Sequence, residues 1–199
     1  TSTSVVDVDS DHTLYALWKS EIYTVNFSPN GGTVDIKDIA VPAGMTYSSF
    51  PTPKKEGYRF LGWYTSTSSS AQLVTSVSGN ATLYARWEAE NYTVYFDAEG
   101  GSVYPSYMNV TYDSAYGTLP TPSKPGYTFA GWYTEPEGGS RVYDSTKVKV
   151  SGTHTLYARW KGVSVKVSYD TNGGTPTSTT KTVVRGEKYG SLYSPSRTG

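Results

Sequence analysis

"GYRFLGWYT" at 57–65 and "GYTFAGWYT" at 126–134 decide how this chain is read. Seven of the nine positions agree, and each block sets Tyr, Phe and Trp around an internal glycine. Working outward, "YTVNFSPNGGT" at 23–33 returns as "YTVYFDAEGGS" at 92–102 and as "VKVSYDTNGGT" at 165–175. Phe27 to Gly57, Phe96 to Gly126 and Tyr169 to Gly199 are each 30 positions apart, so the first half of the unit has a fixed length. "LYALW" at 14–18 becomes "LYARW" at 83–87 and at 156–160. Self-similarity at this period marks a tandem array of small units. The chain divides into the tail of one unit (1–18), a complete unit (19–87), a second complete unit (88–160) and the first half of a third (161–199). It therefore reads as a segment of a longer array. The length difference between the complete units falls in 66–80 against 135–153, as expected of surface loops.

Local patterns suggest the elements of one unit. Tyr23, Val25 and Phe27 alternate with Thr24, Asn26 and Ser28, the period of a strand with one buried face. "PNGG" at 29–32 carries the Asn-Gly chemistry of a tight hairpin turn, and predicts 33–41 as the returning strand. Tyr47 with Phe50, Tyr116 with Leu119 and Tyr189 with Leu192 have the i, i+3 spacing of a helical turn, halted by "PTP" at 51–53 and 120–122. One short helix per unit is therefore expected. In the third strand Tyr58, Phe60 and Gly62 are expected on one face and Arg59, Leu61 and Trp63 on the other, with Gly62 and Gly131 as sites of a bulge or close backbone approach. "TLYARW" has large groups on both faces, which suits a central strand with the Arg86 stem lying over an aromatic ring.

Composition excludes several functions. With 17 basic and 17 acidic residues there is no net charge to draw nucleic acid or anionic lipid. Without cysteine there is no disulfide, thiolate metal site or cysteine nucleophile. No apolar run reaches the length of a membrane span, and the first residues lack the blocks of a signal peptide. The low charged fraction of 17% and the aromatic fraction of 15%, with abundant Ser, Thr and Gly, suit an exported β-rich domain.

The ordered set of a YxVxF strand, an N-G-G turn, LPTPxxxGYxFxGWYT and LYARW resembles the Listeria-Bacteroides repeat family, which includes the B-repeat of the internalins. The resemblance covers nearly the whole chain; Tyr193, where the other units have Pro, departs from it. It implies a β-rich α+β fold of tandem, small β-grasp-like repeats, each a mixed sheet with one short helix. It also implies an extracellular, cell-surface or secreted setting, a stalk-like or adhesive role and no catalytic residues.

A unit of about 70 residues without disulfide or metal needs its aromatics inside. Each buried ring removes about 150–250 Å² from water, on the order of 4–6 kcal/mol. The expected core is Tyr23, Val25, Phe27, Tyr58, Phe60, Trp63 and Trp87 in the first unit, and Tyr92, Val94, Phe96, Tyr127, Phe129, Trp132 and Trp160 in the second. The alternative use of such rings is a carbohydrate-stacking face, for which Tyr64, Tyr133, Tyr84 and Tyr157 are the candidates, together with the loops 66–80 and 135–153. No metal or cofactor is expected. "DVDSD" at 7–11 opens like a calcium loop but lacks the Gly and Glu that complete one. His12 and His154 share a repeat position, for which Asn80 is taken as the counterpart in the first unit, and a turn role is expected there. Asn26, Asn80, Asn91 and Asn109 begin N-x-S/T sequons. The partners anticipated are neighbouring repeats, a glycan or a host protein, with a monomeric chain whose cut ends admit a head-to-tail contact.

Overall fold

The computed structural model describes residues 9–13, 15–16, 21–43, 49–77, 79–175, 178–192, 194 and 196. The chain forms two compact units: Thr1–Lys55 with Phe60–Trp87, and Glu56–Arg59 with Glu88–Gly199. Leu14, Trp18, Tyr47, Asp7 and Val8, on which some of the expectations above rest, lie outside the described residues.

β1 (Ile22–Ser28), β2 (Asp38–Pro42), β3 (Tyr58–Tyr64) and β4 (Ala81–Ala89) make a sheet of order β2-β1-β4-β3, which belongs to the first unit except for Tyr58, Arg59, Glu88 and Ala89 at the strand ends. β1 runs antiparallel to β2 and parallel to β4, with Phe27 opposite Leu83. The second unit repeats this plan with β5 (Asn91–Asp97), β6 (Tyr107–Thr111), β7 (Tyr127–Tyr133), β8 (Arg141–Val142) and β9 (His154–Gly162) in the order β6-β5-β9-β7-β8. It also holds a two-stranded sheet of β10 (Ser164–Asp170) and β11 (Ser178–Val184).

One face of each main sheet is a closed core. Val25, Phe27, Val41, Trp63, Leu83 and Ala85 form the first, and Val94, Phe96, Val110, Trp132, Leu156 and Ala158 the second. Trp63 is 0% exposed and Trp132 2%. Phe60 and Trp87, and likewise Phe129 and Trp160, are half-buried rings packed against these clusters. Every one of these four indoles donates its N–H to a backbone carbonyl: Trp63 to Pro51 (2.9 Å), Trp87 to Pro29 (2.9 Å), Trp132 to Pro120 (2.8 Å) and Trp160 to Ala98 (2.9 Å). The donors are thereby satisfied without leaving the core.

The expected α+β class is overturned. Among the described residues the named elements are all strands, with no α-helix, so the crossover from β6 to β7 is made by turns and isolated bridges. At 113–117 the backbone is drawn into pairing with a segment distant in sequence: Tyr116 N–H donates to the Thr146 carbonyl and Gly117 N–H to that of Asp144, both at 2.9 Å, while Ala115 bridges Lys147. Those bonds take the groups a helix would use, and Gly117 has φ +79°. Tyr116 is buried and Leu119 packs on the core, so the i, i+3 spacing reflects two core contacts from an irregular loop. Tyr189 and Leu192 are likewise non-helical.

Three further expectations change. The third strand does not alternate simply: the β7–β9 register shifts between Phe129 and Gly131, which puts Phe129 opposite Trp160 and Trp132 opposite Ala158 on the same core face. The bulge at Gly131 (φ +141°) is what lets Phe and Trp, three apart, both point inward. Tyr58 leaves the first core altogether. It stacks edge-on with Tyr112 at 5.5 Å and donates its hydroxyl to Asp113 within the second unit.

The Asn-Gly-Gly turn, in turn, does not close a two-residue hairpin. Gly32 N–H donates to Pro29, and Thr33 then bridges Lys54, so β2 begins only at Asp38. Asn30 (φ +46°) and Gly31 (φ +85°) supply the left-handed backbone. Gly32 supplies space: a Cβ there would lie 2.6 Å from the Trp87 ring and 2.5 Å from the Lys54 carbonyl. Gly101 repeats this against Trp160 (2.8 Å) and Ser123 (2.6 Å).

Candidate functional site

Because one face of each sheet is closed by the core, the side chains that can meet a partner are those on the opposite, open face. Strand alternation sends Tyr84 and Arg86 of β4 there, and Tyr157 and Arg159 of β9, between the buried Leu and Ala positions. Tyr133 of β7 stands opposite Tyr157 in register. The four tyrosines expected to form a stacking face, Tyr64, Tyr84, Tyr133 and Tyr157, are all half-buried.

Two of these rings are already engaged. The Arg86 guanidinium stacks on Tyr64 and that of Arg159 on Tyr133, each 3.9 Å from the ring centroid. The same arginines donate to carbonyls of the variable loops, Arg86 to Ser68 and Arg159 to Gly138 and Glu135. Arg-on-Tyr stacking and forked donation to carbonyls both suit a planar guanidinium. The loops are thus tied to the sheet, and they also feed it: Val74 and Val77 join the first core, Val142 and Val148 the second.

The most exposed aromatics of the open face are ones that the repeat pattern did not single out. Tyr95 of β5 and Tyr107 of β6 are direct cross-strand partners, with ring centroids 6.1 Å apart and exposures of 49% and 55%. The same register position holds Asn26 and Asp38 in the first repeat and Ser168 and Thr180 in the third. A comparison of the repeats at their polar strand positions would have found this pair. Beside it lies a cleft of about 450 Å³, lined among others by Tyr95, Asp97, Val103, Ser106 and Thr155. Tyr104, in the loop between Val103 and Ser106, is 93% exposed.

The remaining polar clusters serve structure. Asp113 accepts from Lys149 (2.5 Å), Lys147 (3.3 Å) and the Tyr58 hydroxyl (3.3 Å). Hydrogen bonds from Lys149 and Lys147 hold the Asp113 carboxyl below the usual carboxylate range, and the Asp113 bond in turn raises Lys149. His154 Nε2 lies 2.7 Å from the Tyr116 hydroxyl and Nδ1 3.0 Å from the Gly152 carbonyl, so both ring nitrogens are engaged. In the first repeat the position equivalent to His154 holds Ala81, paired with Val25 as His154 is with Val94, and the preceding Asn80 accepts from Thr24 N–H (2.8 Å), so the expected correspondence of Asn80 with the histidines is off by one residue. Among the described residues no three His, Cys, Asp or Glu side chains converge as a metal site would require.

Comparison with known proteins agrees with the repeat architecture. Residues 23–86, 92–159 and 166–199 match the Listeria-Bacteroides repeat domain. A protein of Evansella cellulosilytica named as a Gly-rich membrane protein is 37% identical over 169 residues, covering 83% of this chain and 19% of its own length. A second membrane protein by name, from the same organism, is 34% identical over 171 residues, 81% of this chain and 26% of the relative. Internalin H of Listeria monocytogenes is 32% identical over 145 residues, 71% of this chain and 25% of the relative. The chain thus spans about a fifth to a quarter of the length of these relatives.

Proposed function

Since the chain belongs to the Listeria-Bacteroides repeat family, we propose that it is a non-catalytic tandem-repeat segment of a secreted or cell-surface protein, serving as a spacer that presents other domains. The observation that carries this reading is how the linkers are fastened inside the second unit. Val163 N–H donates to the Gly126 carbonyl and Arg185 N–H to the Val163 carbonyl, both at 3.1 Å, so the turn before β7 is bonded to the linker that leads into β10. Glu90 N–H to Gly57 and Tyr112 N–H to Glu90, both 2.9 Å, repeat this pattern at the equivalent positions. A linker whose backbone groups are paired does not behave as a free random coil. The relatives named as membrane proteins and as an internalin support a location at the cell surface.

Small-angle scattering on this chain and on versions lengthened by one and two further copies of 88–160 tests the reading. A spacer adds a near-constant increment to the maximum dimension for each copy. Growth that falls away with each added copy, as for freely jointed domains, contradicts it.

An adhesive reading has one observation in its favour: the open face of the second repeat displays uncapped tyrosines that the other repeats replace with small polar groups. The differing loops 66–80 and 135–153 border the same sheets.

A further inference from the structure

We propose that Tyr95, Tyr107 and the adjoining cleft of the second repeat form a saccharide-binding site, a reading that deepens the adhesive one and rests on it. The bland alternative is that Tyr95 and Tyr107 merely stabilise the sheet as a cross-strand aromatic pair, which contributes about 0.2–1 kcal/mol. Two observations weigh against that being the whole account. Asn26 with Asp38 and Ser168 with Thr180 occupy the same register without loss of the sheet, so the architecture does not require rings there. Tyr104, 93% exposed on the neighbouring loop, buries almost nothing and so contributes little to folding.

The chemistry of the surroundings selects the ligand. Saccharide rings offer an apolar C–H face and an edge of hydroxyls. The site answers with two exposed rings and, along the cleft, the hydroxyls of Ser106 and Thr155 and the carboxylate of Asp97. A volume of about 450 Å³ lies within the range of small-ligand sites, and a few polar groups set among aromatics are what such sites use for orientation. Tyrosine provides rigid, amphipathic contact at a low entropy cost. Unlike Tyr64 and Tyr133, neither ring carries a stacked guanidinium among the described contacts. Basic groups are missing from the cleft lining, so anionic lipid or polyphosphate has nothing to pair with, and Asp97 repels it. A protein partner would need roughly 800 Å² of this surface, far more than the tyrosine pair offers.

The test is native affinity electrophoresis of the whole chain in gels cast with hydroxyethyl cellulose, glycol chitin, xylan or mannan. The informative variant is Tyr95→Asn with Tyr107→Asp, because that pair already sits at this register in the folded first repeat. The site predicts retardation by at least one of the four polymers, weakened tenfold or more in the double variant and unchanged in Tyr143→Ala, an exposed tyrosine outside the cleft. No retardation by any polymer overturns the proposal, as does equal retardation of parent and double variant. Sedimentation with phosphatidylglycerol vesicles but no gel retardation also overturns it, in favour of a membrane. The scattering increments of the spacer reading are untouched by these substitutions, so the two readings fail separately.

Discussion

Gly32 and Gly101 show how much of each repeat is decided at single residues. The first glycine of each turn is needed for its backbone angle, the second for the room it leaves beside an indole and a carbonyl. The two roles predict different costs. Gly101→Ala places a methyl 2.8 Å from the Trp160 ring and 2.6 Å from a backbone oxygen, neither of which can yield cheaply. We expect a loss of about 2–3 kcal/mol, the upper range for overpacking. Gly100→Ala meets only the flexible end of Lys124 at 3.4 Å and pays the left-handed penalty, about 1 kcal/mol. Urea denaturation of both variants checks the order; equal midpoints would show that the indole is not seated against this turn.

Among the elements, the variable loops are bound to the open face through one arginine per repeat. Arg159→Lys keeps the charge but loses the planar stack on Tyr133 and the forked donation to Gly138 and Glu135. Cleavage after Glu137 by a glutamate-specific protease should then become several-fold faster, with the rest of the chain as resistant as before. The turn at Asp113 responds to pH. Its carboxyl is held low by Lys149 and Lys147, so its contribution is complete above the ordinary carboxylate pKa of about 4 and is lost as pH falls through its own lowered value. Asp113→Asn, which also tolerates the φ of +61°, should therefore lower the melting temperature near neutrality. That difference should shrink towards pH 3, and a difference unchanged by pH would exclude the ion pairs as its source. The elements also mark what could be read beforehand. Strand alternation at Val25 and Phe27 follows from period two, and the central placement of "LYARW" from the large groups on both of its faces. The expected helix does not form, since Tyr116 and Leu119 reach the core from a loop whose hydrogen bonds go to 144–146, far away in sequence. Simple alternation sets Trp63 on the face opposite Phe60, yet both pack on the core, as do Phe129 and Trp132, because a bulge shifts the phase by one residue, and only the partner strand reveals the shift. Tyr95 and Tyr107 lie outside the shared pattern, because the other repeats hold Asn26 with Asp38 and Ser168 with Thr180 at that register.

For the whole molecule, two faces of one sheet have separate work. The inner face carries the aromatics that make a small, disulfide-free unit stable, and its residues recur from repeat to repeat. The outer face is free to differ, and in the second repeat it differs by gaining rings where the first has Asn and Asp. Changes confined to the outer face should therefore alter recognition with little effect on stability: Tyr95→Asn with Tyr107→Asp should shift the urea midpoint by less than about 1 kcal/mol equivalent. A larger loss would mean that the outer pair is part of the fold.

The central claim, that the indoles close each unit from within, is tested most directly by iodide quenching of tryptophan fluorescence. A Trp18→Phe variant is used, which leaves Trp63, Trp87, Trp132 and Trp160. The account predicts blue-shifted emission and quenching several-fold weaker than that of free indole, rising to the free value in denaturant. Quenching equal to free indole while the chain keeps its folded circular dichroism would contradict it.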